Sequence, residues 1–240
     1  MMIARLAVPE YIPAGARRKK RPPGAGSGNV ALVCRFNPGW CELCGEKTTF
    51  IYLHGFNSSG ASAKAGALRR LLDPIPVLAP TYPAHRAAEA VHFLRDYIKD
   101  SRRLHDSRLV LIGSSLGGHY ARYLARPLGA AMVLINPSMT PETDLLSCIG
   151  YNHNPATGEE YTLSAADVQA FGSLRQDRCD PGVPTLVLLD ESDELLDYRI
   201  ARDFYSECAR IIVYPGGSHR FEHLSEAAGE IRRLHEAGGT

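Results

Sequence analysis

The sequence has little net charge, because its 27 Lys and Arg residues nearly balance 26 Asp and Glu residues, leaving a formal charge of +1 at pH 7. A nearly neutral chain provides no overall attraction to nucleic acid or to acidic substrates. Long apolar runs are also lacking, and none approaches the ~20 residues that a transmembrane helix needs. We therefore expect no nucleic-acid partner and no membrane span.

Cysteine is sparse, with six residues scattered through a chain that is large enough to fold without disulfides. The segment from Met1 to Val8 lacks the sustained apolar core and the small-residue cleavage site of a secretory signal. These features predict reduced thiols and a cytoplasmic location. Cys41 and Cys44 have the spacing of half a zinc site, and Cys34 could add a third ligand. Because no fourth ligand lies nearby, incidental thiols are favoured and no metal is predicted.

Residues 1–48 differ in composition from the rest of the chain. The stretch 13–28 is basic and rich in Pro and Gly, and it has no helical or strand periodicity. Such a segment cannot bury enough apolar surface to offset the entropy lost on ordering, which predicts a disordered extension. Its basic run from Arg17 to Arg21 could contact nucleic acid or acidic lipid, although a solvated tail is favoured.

Residues 49–240 alternate strand and helix signals over a length that suits a single domain. This alternation predicts an α/β fold with a mostly parallel sheet of about six strands and helices on both faces. Residues 137–180 break the rhythm with Gly, Pro and Asn, and a small lid is expected there. The predicted strands are 50–53, 76–79, 109–112, 130–135, 184–189 and 211–214, and the predicted helices are 62–72, 86–99, 119–125, 165–171, 198–208 and 225–235.

The pentapeptide from Gly113 to Gly117 has the pattern G-x-S-x-G and lies between a predicted strand and a predicted helix. Strand, sharp turn and helix are the context of a nucleophile elbow, whereas the pattern alone could be a plain Gly/Ser-rich turn. The helix N-terminus would favour negative charge beside the serine hydroxyl. We therefore interpret Ser115 as a catalytic nucleophile.

A serine nucleophile needs a base and a carboxylate that orients the base, and after an elbow these follow in the order Asp or Glu, then His. His219 follows the strand 211–214 across a Pro-Gly-Gly-Ser loop and is the predicted base, with His223 as its rival. Asp193 lies at the tip of the loop after strand 184–189 and is the predicted acid. Asp190, at the end of that strand, is the alternative.

An oxyanion hole takes one N–H from the residue after the nucleophile, which is Leu116 here. The second N–H comes from the loop after the first core strand. Gly55 would let the backbone turn the Phe56 amide toward the substrate carbonyl. His54 is expected to brace this loop rather than to transfer protons.

Five separated blocks of the sequence occur in the order found in a known family. The blocks are Tyr52–Ser59, Gly113–Gly118, Asn152–Gly158, Asp193–Tyr198 and Gly216–His219. Together they resemble the YqiA-like esterases, which are compact α/β hydrolases. Two positions differ from that family's pattern: Ala156 replaces an aromatic residue, and Ser218-His-Arg220 replaces Asn-His-Ala.

The resemblance implies a triad of Ser115, Asp193 and His219 that hydrolyses acyl esters or thioesters without a cofactor. The expected partner is a small acyl ester or thioester, with a short acyl group because the lid has few apolar residues. The alternatives are an acyltransferase with the same triad and a binding protein on a hydrolase scaffold. The sequence makes no prediction of oligomeric state.

Overall fold

The computed structural model describes residues 48–105 and 108–236. Within these residues, six parallel strands form one sheet in the order β2-β1-β3-β4-β7-β8, and β5 and β6 form a separate antiparallel hairpin. The predicted α/β architecture is therefore confirmed. The strands are β1 (Thr48–Leu53), β2 (Val77–Leu78), β3 (Arg108–Ser114), β4 (Ala131–Ile135), β5 (Gly150–Asn154), β6 (Glu159–Leu163), β7 (Thr185–Asp190) and β8 (Arg210–Tyr214).

Helices cover both faces of the sheet. One face packs against α1 and α7, and the other packs against α2, α3 and α6. Successive side chains of a strand point to opposite faces, so Phe50 and Tyr52 lie in one apolar layer while Ile51 and Leu53 lie in the other. The helices are α1 (Ala63–Leu72), α2 (Ala87–His105), α3 (Leu116–Leu128), α4 (Pro141–Asp144), α5 (Ala165–Ala170), α6 (Tyr198–Tyr205) and α7 (Leu224–Glu236).

The 137–180 segment contains more regular structure than the sequence pattern indicates. It includes the β5–β6 hairpin, α4, α5 and two 3₁₀ turns, whereas only a helix near 165–171 was predicted. The hairpin escapes prediction because β5 carries Asn and His rather than alternating apolar residues. Several of the larger apolar side chains of the segment pack into the core, among them Leu163, Val168, Phe171 and Leu174.

The expectation of reduced thiols is wrong for one pair of cysteines, because Cys179 and Cys208 form a disulfide. The bond ties the chain before β7 to the chain just after α6. The pairing depends on tertiary proximity across a sequence separation of 29 residues, which spacing does not reveal. The possible metal ligands Cys34, Cys41 and Cys44 lie outside the described residues.

The predicted boundary between the extension and the domain also shifts by one residue, since Thr48 already belongs to β1. The remaining 47 residues of the predicted extension lie outside the described part of the chain. Among the helices that the structure describes, none combines the length and the apolar character needed to cross a membrane.

Candidate active site

Ser115 lies at the turn between β3 and α3 with φ 55° and ψ −124°. Positive φ is uncommon for a residue with a side chain and stores backbone strain. Two glycines make the turn possible, because a Cβ at Gly113 would collide with the Gly117 backbone and one at Gly117 would collide with the Leu53 carbonyl. The Ser115 N–H donates to the Ile135 carbonyl at 3.0 Å. The strained turn is therefore fixed from both sides.

The structure brings Ser115, His219 and Asp193 into one hydrogen-bonded chain. His219 Nε2 lies 3.0 Å from Ser115 Oγ, and His219 Nδ1 lies 2.9 and 3.0 Å from the two Asp193 oxygens. Because the carboxylate can only accept, the proton of a neutral imidazole belongs on Nδ1. The Nε2 lone pair is then directed at the serine hydroxyl, so the imidazole can take its proton.

Backbone N–H groups hold the Asp193 carboxylate in place. Asp193 Oδ1 accepts from Leu195 N and Leu196 N, each at 2.9 Å, and the side chain is only 2 % exposed. The next residue, Glu194, accepts from the His219 N–H at 2.9 Å, and this hydrogen bond lowers the pKa of Glu194. Adjacent carboxylates thus bind the imidazole and the backbone of the same histidine.

The two rival residues of the sequence analysis contact each other. Asp190 Oδ1 lies 2.7 Å from His223 Nδ1, and this hydrogen bond raises the pKa of His223. The other Asp190 oxygen accepts from Ser218 N at 3.2 Å and Glu222 N at 2.8 Å, and Asp190 is fully buried. The Asp190–His223 pair therefore supports the loop that carries His219.

The loop after β1 passes directly beside the serine. A Cβ on Gly55 would lie 3.2 Å from Ser115 Cβ, so the two backbones approach closely there. Phe56 follows Gly55, while Leu116 begins α3, where the first N–H groups have no partner within the helix. Both segments expected to bind an oxyanion therefore flank Ser115.

His54 holds the loop after β1 through hydrogen bonds of its imidazole ring. Its ring is fully buried and accepts from Tyr82 N at Nε2 over 3.3 Å, while its Nδ1 lies 2.9 Å from the Gly55 carbonyl oxygen. Burial lowers the pKa of His54, which keeps the imidazole neutral. The Tyr82 hydroxyl donates to the His54 carbonyl at 2.6 Å. Both ring nitrogens of His54 are thus engaged with the backbone, which suits a residue that holds the loop rather than one that transfers protons.

Sequence reasoning overlooked Lys64, whose ammonium donates to Ser114 Oγ at 2.6 Å just behind the turn. Burial lowers the pKa of Lys64 to about 8, although the charges of Asp190 and Asp193 partly oppose this shift. A signal was available in the helical spacing. Lys64 lies four residues before Leu68, which places it on the buried stripe of α1.

A small cleft of about 60 Å³ lies between the 137–180 segment and the chain that follows Asp193, and Ser115, His219 and Asp193 are not among the residues that line it. Pro137, Met139, Leu195 and Ile200 provide apolar walls. Leu195 and Ile200 remain 68 and 53 % exposed. In the described part of the chain, no group of three or more His, Cys, Asp and Glu residues is arranged to hold a metal ion.

Comparison with solved structures identifies the fold. Est1E from Butyrivibrio proteoclasticus with ferulic acid bound is similar at a TM-score of 0.64 and 18 % identity, covering 80 % of this chain and 90 % of that chain. A monoacylglycerol lipase from Paleococcus ferrophilus is similar at a TM-score of 0.57 and 18 % identity, covering 79 % of this chain and 93 % of that chain. These likenesses confirm the predicted α/β-hydrolase fold.

Comparison of sequences identifies the family. A UPF0227 protein of Serratia proteamaculans is 27 % identical over 177 residues, covering 73 % of this chain and 92 % of the relative. A UPF0227 protein of Enterobacter sp. strain 638 is 26 % identical over 190 residues, covering 78 % of this chain and 99 % of the relative. The family described as "Uncharacterised protein family (UPF0227)" matches residues 49–236. This match confirms the family resemblance found in the five blocks, and the chain belongs to the UPF0227 family.

Proposed function

We propose that the protein is a serine hydrolase that cleaves small acyl esters or thioesters through an acyl-enzyme on Ser115. The hydrogen-bonded chain from Ser115 through His219 to Asp193 is the observation that carries this proposal. A nucleophile, a base and an orienting carboxylate in hydrogen-bond contact are the arrangement that acyl transfer requires. The strained turn at Ser115 supports the same reading, because strain of this kind concentrates at functional sites.

In the first half-reaction, Ser115 Oγ attacks the acyl carbonyl carbon while His219 Nε2 takes the hydroxyl proton. The carbonyl electron pair moves onto oxygen, and the N–H groups of Leu116 and Phe56 stabilise the negative charge. Asp193 stabilises the imidazolium that forms. Collapse of the tetrahedral intermediate breaks the bond to the leaving group, which departs with the proton from His219.

In the second half-reaction, water attacks the acyl group on Ser115 and gives its proton to His219. The oxyanion again forms beside Leu116 and Phe56, and its collapse releases the carboxylic acid. Ser115 Oγ recovers its proton from the imidazolium, so the enzyme returns to its starting state. Every proton in this cycle passes through His219, and no cofactor takes part.

The surroundings of the site favour a short acyl group. Several of the larger apolar side chains of the 137–180 segment, among them Leu163, Val168 and Phe171, pack into the core rather than around a tunnel. The solved structures of similar fold include Est1E with ferulic acid bound and a monoacylglycerol lipase. We therefore infer that small carboxylic esters or thioesters are the substrate class.

A hydrolysis screen tests this proposal directly. Purified protein is offered p-nitrophenyl esters and acyl-CoAs of graded acyl length, with and without an added alcohol, and the products are identified. We expect release of free carboxylic acid by the wild type and its loss in Ser115→Ala. Transfer to the alcohol in preference to water would identify an acyltransferase. No turnover of any member by a folded wild type would contradict hydrolysis.

A further inference from the structure

The residue after Phe56 has an unusual backbone conformation. Asn57 has φ 49°, in the left-handed region that asparagine tolerates better than most residues with side chains. This conformation redirects the chain directly after the amide that would bind the oxyanion. The side-chain contacts of Asn57 therefore bear on the position of that amide.

Both ends of the Asn57 side chain are held by the β5–β6 hairpin. The Tyr161 hydroxyl donates to Asn57 Oδ1 at 2.6 Å, and Asn57 Nδ2 donates to Asn152 Oδ1 at 3.4 Å. Asn152 is fixed in turn, because its Nδ2 donates to the carbonyls of Cys148 at 2.7 Å and Gly150 at 3.1 Å. Asn152 and Tyr161 are register partners across the hairpin. One side chain of the loop is thus held by both strands.

Further contacts fix the Tyr161 ring. His85 stacks on it with ring centroids 3.7 Å apart, and Phe56 makes a T-shaped contact with it at a centroid distance of 6.3 Å. Burial raises the pKa of Tyr161, which keeps the phenol protonated and able to donate. A second link joins the same elements, because Asn154 Nδ2 donates to the Ser58 carbonyl at 3.0 Å. The hairpin therefore contacts the loop at Phe56, Asn57 and Ser58.

Given the proposed function, we propose that Tyr161, acting through Asn57, is a positioning residue that holds the Phe56 N–H in place to stabilise the oxyanion. Donors of an oxyanion hole act through fixed geometry, so a displacement of about 1 Å can cost ~10²-fold in rate. The hairpin then has a role in turnover as well as in covering the site. The Phe56 N–H then stabilises the transition state, where the negative charge develops, and contributes little to the binding of the substrate in its ground state.

The test uses Tyr161→Phe, which removes the hydroxyl and keeps the ring between His85 and Phe56. We expect kcat for p-nitrophenyl acetate to fall by about 10- to 100-fold with KM nearly unchanged. A trifluoromethyl ketone forms an oxyanion on Ser115, so its affinity should fall by the same factor as kcat/KM. A loss of structure alone would not produce this parallel. Tyr151→Phe is the matched control, because Tyr151 is on the same hairpin but is 69 % exposed.

A double-variant cycle shows whether the two side chains act together. Asn57→Ala should lower kcat similarly, and adding Tyr161→Phe to it should have little further effect. Fully additive losses, or Tyr161→Phe with wild-type kcat/KM and ketone affinity, would overturn the positioning role while leaving the proposed function intact. A wild type that neither hydrolyses the ester nor forms the ketone adduct would overturn the proposed function and this inference with it.

Discussion

Two Asp–His pairs lie within one system of loops, and they differ in what each pair contacts. Asp193 and His219 extend to the Ser115 hydroxyl, whereas Asp190 contacts His223 and also accepts from the backbone N–H groups of Ser218 and Glu222. Asp190 ends β7 and Asp193 follows it, while both histidines follow β8, so chain order alone leaves the pairing open. The distinction arises from geometry, because Asp190 is still in the strand and fully buried.

Replacement of the two carboxylates should therefore have different effects. We expect Asp193→Asn to lower kcat by roughly 10⁴-fold with little change in Tm, because the amide would favour the wrong imidazole tautomer. Asp190→Asn should instead lower stability by about 1–3 kcal/mol and affect kcat less, because the amide has one acceptor oxygen where the carboxylate has two, so either His223 or the two backbone N–H groups lose their acceptor. Steady-state kinetics and thermal melts of both variants check this. The opposite ranking would assign the orienting role to Asp190.

Lys64 predicts a specific dependence of stability on pH. Burial lowers its pKa to about 8, below its ordinary value of 10.5. Between these values the unfolded chain holds a proton that the folded chain has lost, so the free energy of unfolding should rise with pH. Above pH 10 Tyr52 opposes this trend, because burial raises its pKa to about 12 and only the folded chain keeps the proton.

Urea unfolding at a series of pH values measures this effect. From about pH 8 to 10 the free energy of unfolding of the wild type should rise by up to about 2 kcal/mol. Lys64→Met keeps a similar side-chain length but has no charge, so this rise should disappear. Equal pH slopes in the wild type and the variant would show that the ammonium is not titrating in the folded protein.

At the scale of elements, the core strands and the elbow are those that the sequence predicts best. Runs such as Leu109–Ile112 are apolar because both faces of the sheet are covered, and this pattern is local. The hairpin could not be predicted in the same way, because β5 carries polar residues that contact the loop after β1. Asn152 and Asn154 form hydrogen bonds with that loop, so β5 lacks an apolar strand pattern. Lys64 and the Cys179–Cys208 pair depend likewise on contacts distant in sequence.

The 137–180 segment predicts a preference for short acyl groups. A long acyl chain needs apolar cover along its length, because each buried methylene contributes only ~0.8 kcal/mol. Here Leu163, Val168 and Phe171 are already buried in the core, and Leu146 and Ile149 are the larger aliphatic side chains left half exposed. We expect kcat/KM for p-nitrophenyl esters to peak between acetyl and hexanoyl. A profile that rises through dodecanoyl, measured below the micelle threshold, would refute this.

At the scale of the whole molecule, the site lies where the strand order reverses. The chain runs from β1 outward to β2, and then returns to β3 on the other side of β1 before continuing to β4. Crevices at the carboxyl ends of parallel strands form at such a switch point. Here the loop after β1 and the turn after β3 flank it, and these segments carry Phe56 and Ser115.

Deletion of residues 1–47 should leave kcat/KM nearly unchanged. Every residue placed in the candidate site lies from His54 onward, and β1 begins at Thr48. Kinetics of the truncated protein, with a thermal melt to verify folding, measure this. A folded truncation that loses most of its activity would show that the extension belongs to the active site.

The cytoplasmic location expected from the sequence stays a prediction.

The identity of the nucleophile is tested most directly by the site of labelling with a fluorophosphonate probe, read by mass spectrometry of the modified peptide. We expect one label on Ser115, its loss in Ser115→Ala, and a fall in kcat of about 10⁴- to 10⁶-fold. Ser114→Ala is the matched control and should retain the label, because Ser114 is buried against Lys64. A folded Ser115→Ala protein that is still labelled and active, with both lost in Ser114→Ala, would contradict the assignment.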